Sequence, residues 1–114
     1  MRTRAFSLPV HGTIELLAGI AMIVAPAALG FGATGIIVSV LLGSILMGMG
    51  VALTSQGGAA LPWHTSFDSA FGLVTAVAAV MLAASGDHVA GIFLAALAIV
   101  QAGLNSTTRY VAAC

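Results

Sequence analysis

Four apolar stretches, at about 9–29, 33–55, 62–84 and 88–106, occupy nearly the whole chain and are separated only by short breaks. Each is long enough to cross a bilayer, because about twenty helical residues at 1.5 Å each span the roughly 30 Å hydrocarbon layer. In lipid a lone segment must satisfy its own backbone, and the α-helix does so. The breaks "LGFGAT" (29–34), "SQGGAALP" (55–62) and "SGDH" (85–88) collect glycine, proline and small polar residues, as turns require. Connections this short make successive helices antiparallel neighbours. The 114 residues are 61% hydrophobic and 5% charged, with a mean hydropathy of +1.18. A water-soluble domain carries roughly a quarter charged residues, so the solvent of this surface is lipid. The predicted fold is a single all-α membrane domain of four transmembrane helices over residues 1–114.

The few charges set orientation and exclude partners. There is no lysine; the cations are Arg2, Arg4 and Arg109, the acids Glu15, Asp68 and Asp87. No basic patch for nucleic acid exists. Arg2 and Arg4 precede the first span and Arg109 follows the fourth, so the positive-inside rule predicts both termini on the cytoplasmic side of the cell membrane. The single cysteine, Cys114, is expected to be an incidental free thiol. "MRTR" ahead of an apolar run with "APA" at 25–27 also has the form of a cleaved secretory signal.

An internal echo argues that this first segment is retained. "LPVHGTIELLAG" (8–19) returns 53 residues later as "LPWHTSFDSAFG" (61–72). Leu8, Pro9, His11 and Gly19 recur as Leu61, Pro62, His64 and Gly72, while Glu15 becomes Asp68 and Thr13 becomes Ser66. Two spans per copy imply two tandem two-helix repeats, about 8–54 and 61–106, entering the membrane in the same direction about an axis along its normal.

Proline at 9 and 62 suits a first helical turn, where its missing N–H is unbonded anyway. His11 and Glu15, like His64 and Asp68, are then four apart on one helix face, within reach of each other. Glu15 lies six residues beyond Pro9, about 9 Å along the helix. That keeps it near the cytoplasmic boundary, where an acid costs less than the roughly 2.5–3.5 kcal/mol assigned to the bilayer centre. The simplest expectation is mutual satisfaction of the four groups, within each pair or crossed between helices. Two imidazoles and two carboxylates are also acceptable ligands for zinc or ferrous iron, and could pass a proton. Di-iron bundles use Glu-x-x-His, acid first and three apart, so the spacing here favours the structural reading, with no cofactor and no metal.

Other polar residues are expected to serve the fold. Asp87 reads as the N-cap of the fourth helix with His88 in its first turn, and Gln101 as an interhelical hydrogen-bond partner. Trp63 and Tyr110 suit the interfacial aromatic belt, and Met47 and Met49 read as lipid-facing residues or packing filler. Gly19 and Gly72 continue the histidine face and should let neighbouring helices approach. Small residues recur every four positions as Gly35, Ser39 and Gly43, as Ser44, Gly48 and Ala52, and as Gly91 with Ala95. The second segment thus has two stripes, one for the bundle and one for another chain.

"IVAPAALGFGATGIIVSVLLG" resembles the SPW-repeat membrane proteins, whose two-span units carry Ser-Pro-Trp followed by Leu-Gly-Phe; the matching residues are Ala25, Pro26 and Ala27, then Leu29, Gly30 and Phe31. The resemblance implies a two-span repeat without catalytic residues. No nucleophile-and-base arrangement, phosphate loop, haem-binding or zinc-protease motif is present, so an enzyme is not expected. Two classes remain. One is an accessory or structural subunit packed against a larger transport or respiratory membrane complex. The other is a small oligomeric transporter or proton or metal-ion relay using His11, Glu15, His64 and Asp68. The expected partners are the bilayer and either other integral-membrane subunits or further copies of the chain.

Overall fold

A computed structural model describes residues 6–56 and 61–108. Four helices follow in order: α1 (Leu8–Leu29), α2 (Ala33–Gln56), α3 (Leu61–Ala84) and α4 (His88–Thr107). All four are long and apolar enough to cross a membrane. Arg2, Arg4, Arg109, Tyr110, Cys114 and residues 57–60 of the middle break lie outside the described residues.

The turns form where the sequence permits them. Gly30 takes a left-handed conformation (φ 72°) at the end of α1, and its N–H and that of Phe31 both donate to Pro26 O, closing the helix. Gly86 (φ 103°) reverses the chain between α3 and α4. Asp87 then caps α4 by accepting from Ala90 N–H at 3.2 Å. Its other oxygen accepts from Gly32 N–H at 2.8 Å, which ties the two turns together. At the opposite end Phe6 N–H donates to Thr107 O at 3.1 Å, joining the approach to α1 with the end of α4.

Helices α1 and α2 pack backbone to backbone. Gly12 and Gly19 on α1 face Gly50 and Gly43 on α2, a spacing of seven residues on each helix. A Cβ added to Gly19 would stand 2.7 Å from Gly43 O, and one added to Gly50 would stand 2.6 Å from Gly12 O. Only glycine permits such an approach. Helices α3 and α4 pinch near their turn, where a Cβ on Gly91 would meet Ala79 O at 2.9 Å. Between the two hairpins lies a core of larger side chains that includes Met22, Phe31, Leu46, Met49, Phe71 and Leu94, with Phe31 edge-on to Phe93 at 5.6 Å. The outward faces are apolar too: Ile92, Ile99 and Val80 are each at least 70% exposed, which suits lipid and not water.

Pro26 sits inside α1 and has no N–H, so Met22 O, its partner in a regular helix, is released. Ser39 on α2 fills the gap: its hydroxyl donates to Met22 O at 2.6 Å, and the side chain is wholly buried. The second stripe of α2 lies elsewhere. Ser44 and Gly48 are exposed, Ser44 bonds only its own helix at Val40 O (2.8 Å), and a Cβ on Gly48 would meet nothing within 4 Å.

Candidate functional site

The structure gathers His11, Glu15, His64 and Asp68 into one cluster at the end of the bundle away from the tied turns, with no more than 1% of any of them exposed. Position in the helix accounts for the convergence. His11 and Glu15 are one turn apart on α1, His64 and Asp68 one turn apart on α3, and both pairs face the seam between hairpins. His11 Nε2 lies 2.9 Å from Glu15 Oε1 and 2.9 Å from Asp68 Oδ2. His64 Nε2 lies 3.1 Å from Glu15 Oε2 and 3.2 Å from Asp68 Oδ1. Contacts therefore run within each helix and across the seam at once, so neither of the two expected pairings stands alone. The imidazole rings meet edge to face, with centroids 5.6 Å apart.

Three further residues hold the cluster from α3 and α4. Gln101 donates through Nε2 to Glu15 Oε1 at 3.0 Å and to Asn105 Oδ1 at 3.1 Å, which gives the expected interhelical partner its identity. Thr108 stands behind His11, with Oγ1 2.6 Å from Nδ1 and 2.6 Å from Leu104 O. Trp63, at the start of α3, lies beside the His64 ring at 5.4 Å and against Phe67 at 5.5 Å. Glu15 thus has nitrogen partners from α1, α3 and α4, the arrangement a buried acid needs in a medium without water. His64 Nδ1 has no hydrogen-bond partner among the described residues. The ligand-capable atoms of the four residues all lie within 4.8 Å of one another.

Sequence reasoning did not find Thr108 or the Ser39 contact. The second had a signal: a proline inside a spanning helix frees the carbonyl four residues before it, so a hydroxyl on the next helix was to be sought for Met22 O. Thr108 carried none, since a threonine just past a helix end is ordinary. Gly72 needs a correction as a close-packing residue. A Cβ there would meet only Gln101 Cγ, at 3.8 Å, because α3 and α4 have separated at that level. His88 is exposed at the far turn and takes no part in the cluster. Gly35 packs beside the Asp87 cap, where an added Cβ would stand 2.6 Å from Oδ2.

Separation of α3 from α4 leaves a second feature. A groove of about 710 Å³ runs along their outer face from Ser69 to Ala83 on α3 and from Gly91 to Asn105 on α4, with a floor of Gly72, Ala76, Ala95 and Ala102. Asn105 borders it and is bonded through Gln101 to Glu15, so groove and cluster share one hydrogen-bond chain.

Fold and site together define an all-α membrane protein of four spanning-length helices whose hairpins are joined by a buried His–carboxylate cluster. No protein-family model, curated protein or solved structure matches the chain.

Proposed function

We propose that the protein is a small accessory subunit of the cell membrane that packs against a helix of a larger membrane complex, and that it is not an enzyme. The groove on α3 and α4 carries this reading. It extends over about 21 Å, fourteen residues at 1.5 Å each, so its length is that of most of a spanning helix. Its floor is glycine and alanine, which let a neighbouring backbone come close enough for dispersion to hold two helices together in lipid. The cluster serves the same role by fixing α3 and α4 relative to α1, because Glu15 ties all three. The arginines at 2, 4 and 109 support an orientation with both termini in the cytoplasm. The internal echo at 53 residues supports an origin as two copies of one hairpin, the unit that the SPW-like stretch at 23–43 also implies.

Purification of a tagged copy at native level in mild detergent tests this. The expected result is a larger membrane protein in fixed ratio with the wild type, lost in Ala95→Leu and Ala102→Leu, which fill the groove from an exposed face without touching the core. A clean homo-oligomer, unchanged by those substitutions, would refute it and favour the transporter or relay class.

A further inference from the structure

Four buried ligand-type side chains meet at the seam, with one ligand atom of each within 4.8 Å of the others. Thr108 has one hydroxyl proton, and Leu104 O beside it can only accept, so that proton goes to Leu104 O. Thr108 Oγ1 must then accept from His11 Nδ1, 2.6 Å away, which places the imidazole proton of a neutral His11 on Nδ1. Its Nε2 is left with a lone pair facing two carboxylate oxygens, each at 2.9 Å. A proton on Nε2 would be shared between the two oxygens in a three-centre bond, weaker to each than a linear one. His64 repeats the geometry at 3.1 and 3.2 Å.

We propose that His11 Nε2, His64 Nε2, Glu15 and Asp68 bind one divalent first-row transition-metal ion of the zinc or ferrous type. Two imidazole nitrogens and two carboxylate oxygens form an accepted tetrahedral set for such an ion. With bonds of about 2.1 Å, tetrahedral ligand atoms stand about 3.4 Å apart. Each carboxylate meets the two imidazoles through different oxygens, and one ligand atom from each of the four residues lies within 4.8 Å of the others; shifts of about 1 Å bring such a set to the tetrahedral spacing. The charge also closes: a dication neutralises two carboxylates, which leaves no net charge in the apolar seam. Thr108 and Gln101 are positioning residues. The first holds His11 in the tautomer that presents Nε2, and the second orients Glu15. The inference stands apart from the subunit reading, since a metal-locked bundle can work alone or in a complex.

The test uses the whole protein in detergent, stripped with chelator and titrated with cobalt(II) and then zinc(II). Tight binding with the intense visible bands of tetrahedral cobalt, displaced by zinc, is expected, together with a higher melting temperature than the stripped protein. His11→Gln and His64→Gln should abolish the tetrahedral spectrum. If either fails to fold, Thr108→Val decides: all four ligands remain, the helical spectrum should be that of the wild type, and affinity should fall about 10–100-fold. Weak octahedral cobalt only, equal melting temperatures with and without metal, or Thr108→Val binding as tightly as wild type would each overturn the proposal.

Discussion

The two hairpins begin from related twelve-residue stretches, identical at four positions, and pack differently. In the first, Gly12 with Gly50 and Gly19 with Gly43 bring α1 and α2 into backbone contact at two levels. Fifty-three residues on, the corresponding pairs are Thr65 with Gly103 and Gly72 with Ala96, one glycine in each. There Gly103 has nothing within 4 Å of its Cβ position, Gly72 has only Gln101 Cγ at 3.8 Å, and the groove opens. The first hairpin also contains Pro26 and its remedy Ser39, where the second has Ala79 and Ile92. A closed hairpin and an open one result, joined by one shared cluster.

The largest effect should come from breaking the join. Glu15 contacts His11, His64 and Gln101, and Glu15→Ala leaves these buried polar groups facing a void. A loss of about 3–5 kcal/mol is expected in reversible unfolding in detergent, the usual scale for removing one member of a buried charged set. A loss below that of a surface substitution would show that the hairpins hold together without the cluster.

Next is the glycine contrast itself. Gly43→Val drives a side chain into Gly19 O and Met22 Cβ, 2.7 and 2.8 Å from its Cβ position, and should cost about 1–3 kcal/mol. Ala96→Val, at the corresponding but exposed place on α4, should stay within about 0.5 kcal/mol. Equal costs would remove the distinction between the two hairpins.

Smaller is the proline couple, best read as a double-mutant cycle. Ser39→Ala should cost about 0.6–1.7 kcal/mol by stranding Met22 O. In a Pro26→Ala background the helix recovers that bond itself, and the same change should cost close to nothing. Additive costs would mean that Ser39 matters by packing alone. Ala95→Leu should be smallest, with no loss of stability for the isolated chain, because it fills an open groove; a marked loss would mean that the groove is closed in the membrane.

Four spans were legible in the sequence because a 30 Å apolar solvent leaves a helix no other way to satisfy its backbone, and glycine and proline mark where it stops. The residues of the cluster were legible for the same reason, since a histidine and an acid four apart on an apolar helix must face inward and find partners. Asp87 as a cap follows from local chemistry alone, whereas its second bond to Gly32 N–H depends on where the other turn lies. The equivalence of Gly19 and Gly72 was the false inference. A glycine permits close approach, but whether a neighbour uses the space depends on what stands opposite, the Gly43 backbone in one case and only Gln101 Cγ at 3.8 Å in the other. Periodicity along one chain carries no information about which position stands across from it. The crossing of helices decided that, and with it the contacts of His11, the partner of Met22 O and the groove on α3 and α4.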